Sequence, residues 1–209
     1  MERTAVEEAK KLFGKNFIGK DELIPLVNRM GLSVENVNVP EIDYSLDKLT
    51  ACCNDYLLIL GLSNVEKTDL SIKTFREIFG IDPEVQEPCF YNQDWYLNED
   101  FIHSTLANRW FLLKREVLEE SRAVQPADLL KQQIVFPTAI LCTYTFFANY
   151  YANNELLWHH DFVWCSDMDH NGDRIYVGKY LDVDGVNKNG FSIHRHLSLR
   201  NCFGSINVI

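Results

Sequence analysis

Residues 157–181 contain two runs rich in aromatic and β-branched side chains, separated by Asp169-His170-Asn171-Gly172-Asp173. Runs of this composition suit strands, and an Asn-Gly pair readily supplies the positive φ angles of a tight two-residue turn. The stretch therefore predicts a β-hairpin. Strand alternation then places Trp158, Phe162 and Trp164 on one face and His159 and Asp161 on the other.

The rest of the chain predicts short helices and strands around this hairpin. Residues 4–13 set Ala5, Ala9, Leu12 and Phe13 on one helical face, with Thr4 as the cap, Glu7 as its capping-box partner and Gly14 at the end. A second helix is expected over 21–30, with Pro25 in its first turn and Gly31 closing it. Residues 1–31 thus form a helical N-terminal appendage. Residues 56–60 are a continuous apolar run of strand length, the mark of a central strand buried on both faces. Further helices are expected over 69–79, 98–106 and 126–133, and further strands over 110–117 and 191–197. Residues 182–190 read as a turn-rich loop.

Residues 138–151 put Ile140, Tyr144, Phe147 and Tyr151 on one helical face, although their threonines and aromatics also suit a strand. Length and the lack of an internal turn signal favour a buried helix. No repeat or long linker interrupts the sequence, and 209 residues suit one domain. The expected fold class is α+β: a small N-terminal helical unit packed on a mixed or antiparallel sheet, with a C-terminal β-hairpin and a buried helix, over 1–209.

Charge and cysteine usage narrow the function classes. Thirty acidic against twenty basic residues give a net charge of -10, and no dense basic run is present, which disfavours nucleic-acid binding. The six cysteines form no C-x-x-C pair and sit mostly among apolar neighbours, as thiols do in a reducing compartment. The N-terminal residues lack the apolar stretch of a signal peptide, and residues 136–151 fall short of the roughly 20 apolar residues of a spanning helix. A soluble, cytoplasmic protein without membrane association is expected.

Three segments carry a resemblance. Gly14-Lys15-Asn16-Phe17-Ile18-Gly19 with Glu22-Leu23, Trp110-Phe111-Leu112-Leu113-Lys114-Arg115, and Gly172-Asp173-Arg174-Ile175-Tyr176-Val177-Gly178 resemble markers of a family of uncharacterised bacterial proteins. The likeness spans most of the chain. It implies a bacterial, cytoplasmic protein and assigns no activity.

Several constellations are candidates for chemistry. Asp167, Asp169, Asn171 and Asp173 place oxygen donors at alternate positions, with Gly172 sixth, as in the first half of a calcium loop. The twelfth position is Gly178 rather than glutamate, and strands rather than helices flank the loop, so Asp182 and Asp184 are the nearest further ligands. A plain turn with Asx-type bonding is the alternative. His194 and His196 share one strand face, as do His159 and Asp161. If those strands are neighbours, the four could hold zinc or iron. Trp95, Tyr96, Phe101 and Trp110 are candidates for a ligand pocket or a partner surface, with core packing as the alternative. Cys165 or Ser166 lacks a nucleophile elbow. Gly14-x4-Gly19-Lys20 lacks both the preceding strand and the Ser or Thr of a phosphate loop.

Three functions remain open on the sequence. The first is a non-catalytic binding or interaction module for a protein or small-molecule ligand. The second is a hydrolase dependent on a divalent metal held by the His/Asp cluster. The third is a DNA-binding regulator acting through the N-terminal helices.

Overall fold

Caps and apolar runs set the elements in chain order. The computed structural model describes residues 3–179, 190–196 and 198–209. The elements begin with α1 (Val6–Phe13), β1 (Phe17–Ile18), α2 (Ile24–Arg29) and α3 (Leu46–Cys52). Next come β2 (Tyr56–Gly61), the short β3 (Asn64–Val65) and β4 (Thr68–Asp69), α4 (Ile72–Phe79) and β5 (Arg109–Lys114). The rest are α5 (Pro126–Lys131), α6 (Ala139–Asn153), β6 (Phe162–Met168), β7 (Arg174–Lys179), β8 (Phe191–His194) and β9 (Phe203–Gly204). The class is α+β.

Helix α6 is the axis of the fold. Every residue from Ala139 to Asn149 is buried, so it has no polar face, as expected of a helix with protein on all sides. Thr138 caps its start by accepting from the Leu141 amide at 3.2 Å, and Asn154 closes it in the left-handed conformation. One side meets a sheet of order β1-β2-β5, in which β1 runs parallel and β5 antiparallel to β2. Leu57, Leu58, Ile59 and Leu60 are all inaccessible, so β2 is the central strand its apolar run predicts. The Tyr144 hydroxyl donates to the Leu60 carbonyl at 2.9 Å and ties helix to strand. The other side meets β6 and β7 of a second sheet, ordered β8-β7-β6-β9. A second apolar cluster, including Leu129, Phe162, Trp164, Tyr176 and Phe203, covers that sheet's far face.

Several expectations change. Thr4 does not cap α1: its amide and hydroxyl bond to the Ile42 and Tyr44 carbonyls, leaving Ala5 as the cap residue. Residues 1–31 are not two helices and a turn alone. Phe17 and Ile18 add a strand to the first sheet, because their side chains reach the same core as Leu58 and Ile59. Over 98–106 only a 3₁₀ turn, Asp100–His103, forms. The hairpin connection is not a two-residue turn. Five residues join β6 to β7, and only Gly172 among them takes positive φ. The Gly172 amide donates to the Asp169 carbonyl at 3.0 Å, and the Asp169 amide to the Asp173 carbonyl at 2.9 Å.

The alternation expected over 158–164 also fails. Trp158 and His160 both have positive φ, so β6 starts only at Phe162. Trp158 joins the main core, while Phe162 and Trp164 face the second cluster. At the other end, β8 stops at His194 and His196 is in the left-handed region, so the two histidines do not share a strand face. Leu197 and the loop expected over 182–190, with Asp182 and Asp184, lie outside the described residues, apart from Gly190. No helix among the described residues is long and apolar enough to cross a membrane.

Candidate functional site

The hairpin turn is organised by one carboxylate. Asp169 Oδ1 accepts from the Asn171 and Asp173 amides at 2.9 and 2.8 Å, an Asx-type arrangement. Its Oδ2 accepts from Arg195, which follows β8. Burial pushes the Asp169 carboxyl up, but the Arg195 guanidinium and the two backbone amides outweigh it and hold the group at about 2. The same guanidinium lies 4.5 Å above the Trp95 ring and 3.8 Å from Glu99 Oε1. The Trp95 indole N–H donates to the Ile193 carbonyl at 3.0 Å, which fixes the ring under the arginine.

Two histidines border this arginine. Glu99, itself buried, accepts the His170 amide on Oε2 at 2.9 Å and meets His170 Nδ1 through Oε1 at 2.6 Å. His196 Nδ1 lies 3.2 Å from Asp173 Oδ2. Ligand-type atoms of Glu99, Asp169 and His170 fall within 4.8 Å of one another, as do those of Asp169, Asp173 and His196. Arg195, however, already stands between Asp169 and Glu99 as their cation. A metal there would sit against a fixed positive charge.

The sequence-derived metal residues are not brought to one point. Asp167 turns away from the hairpin loop, and its Oδ2 accepts the Ala139 amide at 2.6 Å at the start of α6. Burial outweighs that bond and raises the Asp167 carboxyl. Asn171 contacts His170 Nε2 instead. Asp161 is held bidentately by Arg122, at 2.7 and 3.1 Å. His159 packs against His160, with ring centroids 4.2 Å apart. Strand β7 lies between β6 and β8, so the condition for a four-residue cluster, that the histidine strands be neighbours, is not met. His194 is enclosed by Tyr176, Phe162 and Tyr91, its Nδ1 is 3.0 Å from Gln93 Nε2, and burial holds it down to about 4.

The aromatic candidates are wall and core rather than open surface. Tyr96, Phe101 and Trp110 are buried, and Trp95 is partly buried against the core. The Tyr96 hydroxyl accepts from Arg76 Nε at 3.1 Å, and the Trp110 indole donates to the Pro40 carbonyl at 2.9 Å. Lys20 is engaged by the carbonyls of Glu35 and Val37, at 2.9 and 3.2 Å. Cys165 is fully buried, and that burial, with Cys142 beside it, raises its thiol.

A feature with no counterpart in the sequence reading lies at the opposite end of α6. A cleft of about 500 Å³ opens where β2 begins, β5 ends and the chain leaves α6. Asn154 reverses the chain there, and the Asn149 side chain holds the Glu155 carbonyl at 2.7 Å. Arg115 is placed by its amide donating to the Asp55 carbonyl at 3.0 Å, and it pairs through Nη2 with Glu155. Glu155 also meets Lys15 at 3.3 Å.

Trp158 closes the wall. It is only 5% exposed and has a φ of 50°, a conformation that a bulky residue holds only where its surroundings enforce it. Among the described residues five buried side-chain polar atoms lack a hydrogen-bond partner. Two of them, Arg115 Nε and Trp158 Nε1, belong to residues lining this one cleft. Buried N–H donors without acceptors are rare enough in folded proteins to require an explanation.

Comparison with protein-family models, with curated proteins and with solved structures found no match.

Proposed function

We propose that the protein is a non-catalytic binding module whose ligand is a small molecule bearing acceptor oxygens, seated in the cleft between β5 and the segment after α6. The observation that carries this reading is that two residues lining one cleft, Arg115 and Trp158, each keep a buried N–H donor, Nε and Nε1, without an acceptor. A carboxylate is the simplest group that satisfies two N–H donors at once. The volume lies within the range of small-molecule sites, and strain at Trp158 is of the kind that accompanies binding positions. A bacterial origin and a cytoplasmic location belong to the same proposal. The free thiols of Cys52, Cys53, Cys142, Cys165 and Cys202 are in keeping with a reducing compartment.

Calorimetric titration with N-acetyl-L-phenylalanine, a carboxylate on an apolar body, tests the reading. Saturable binding is expected, weakened about tenfold by Trp158→Phe and by Arg115→Met, the scale of a lost hydrogen bond to a charged group. The thermal midpoint of Trp158→Phe should fall less than that of Trp110→Phe, because only Trp110 donates to a partner that the change would strand. Equal affinity in all three proteins removes the reading, as does failure of both this probe and its parent zwitterion, L-phenylalanine, to bind saturably.

The metal-dependent hydrolase built on His159, Asp161, His194 and His196 has less support, because these residues serve separate partners. In the grouping of Glu99, Asp169, His170, Asp173 and His196, the Asp169 and Glu99 carboxylates already have Arg195 as their cation. Chelator is therefore expected to leave the thermal midpoint unchanged. Stoichiometric zinc or iron in protein purified without chelator, lost in His170→Ala, would reverse that ranking. A DNA-binding role for α1 and α2 is disfavoured by the net charge of -10 and by β1, which separates them and lies in the sheet.

A further inference from the structure

The cleft's charges carry the binding reading one step further, and the step rests on that reading. Side chains of both signs line it, and they are not equally engaged. Arg115 is committed to Glu155, which also meets Lys15. Lys114 lies 5.6 Å over the Tyr56 ring and 3.9 Å from an Asp55 carboxylate that is itself largely exposed. Glu116 also lines the cleft, and its carboxylate makes no hydrogen bond or ion pair among the described residues. The lining residues thus carry two buried donors without acceptors and an ammonium in a long ion pair on one hand, and an exposed carboxylate without a protein partner among the described residues on the other.

We infer that the ligand is a zwitterion of the α-amino-acid or short-peptide type, its carboxylate meeting Arg115, Trp158 and Lys114 and its ammonium meeting Glu116. A ligand carrying only negative charge would be set against Glu116 and Asp55, and a purely cationic one would leave both N–H donors unmatched. Leu157 and Trp158 are the apolar members of the lining, and both are almost wholly buried. A single amino acid and a dipeptide share this chemistry, and about 500 Å³ accommodates either.

Titration of the full chain with four probes separates the possibilities. L-Phenylalanine and glycyl-L-phenylalanine carry both charges, N-acetyl-L-phenylalanine lacks the ammonium, and L-phenylalaninamide lacks the carboxylate. At least one zwitterion is expected to bind about tenfold or more tightly than both blocked probes, the worth of one charge-assisted hydrogen bond. The tighter of the two zwitterions identifies the source. Glu116→Gln should abolish the preference over N-acetyl-L-phenylalanine by weakening the zwitterion, while the affinity for that purely anionic probe holds or rises. Equal binding of N-acetyl-L-phenylalanine and the zwitterions by the wild type overturns the inference and leaves the binding reading standing, as does a preference that survives Glu116→Gln. Failure of all four probes to bind at millimolar concentration overturns both.

Discussion

Phe147→Ala is expected to lower stability by about 3–5 kcal/mol and the thermal midpoint by roughly 6–20 °C. The ring is inaccessible and packs against aromatic rings from several parts of the chain. It stacks on Phe79 of α4 at 4.4 Å and on Phe90 at 5.3 Å, and it lies 5.5 Å from Phe75 and 6.3 Å from Phe191 of β8. Removing it opens a void among large, rigid side chains drawn from separate elements, which cannot close together without moving α6 itself. Phe147→Leu keeps most of the volume and should cost only about 1–1.5 kcal/mol. Urea unfolding measures both, and a loss below about 1 kcal/mol for the alanine variant would show that α6 is not the axis of the core. None of these ring partners lines the Arg115–Trp158 cleft, so protein that remains folded should keep its ligand affinity.

The legibility of α6 and the opacity of the cleft have one physical origin. Buried helices and central strands are written locally: residues 139–149 carry no charge to give a solvent face, and Leu57–Leu60 is apolar throughout. The polar sites depend on residues far apart in sequence. Asp-x-Asn-Gly describes an Asx-type turn and half a calcium loop equally well, and what decides is Arg195, 26 residues later, arriving as the cation. Glu99 reaches His170 across 71 residues, and no spacing rule joins them. Period-two reasoning failed at Trp158, His160 and His196 for a definable reason. Each takes positive φ, which ends the strand and turns its neighbours off the expected face. Arg115 could be read as the end of a strand, but an unmet Nε becomes visible only once every neighbouring acceptor is placed.

Acid sensitivity should set in near neutral pH, with His194 as its first cause. Burial beneath Tyr176 and Phe162 holds this imidazole at about 4, against 6.5 for an unperturbed one. Between those values the unfolded chain binds a proton that the folded chain refuses, so the unfolded state gains as pH falls. Stability from this group is complete above about 6.5 and declines by about 3 kcal/mol by pH 4, where the folded imidazole also protonates. Asp169 acts in the next window. Its folded value of about 2 lies below the usual carboxylate range, so its contribution is present above about 4 and is lost as pH falls through about 2. Asp167, raised by burial, acts with the opposite sign, favouring the folded state while protonated and losing that share as pH rises through its folded value. His194→Gln removes the titrating ring and keeps a polar partner for Gln93. Urea unfolding at a series of pH values should show the wild type losing about 3 kcal/mol more than this variant between about pH 7 and pH 4. Every other group is common to both proteins and cancels in the difference. Equal slopes would mean that His194 is already charged in the folded protein, despite the rings of Tyr176, Phe162 and Tyr91 packed around it.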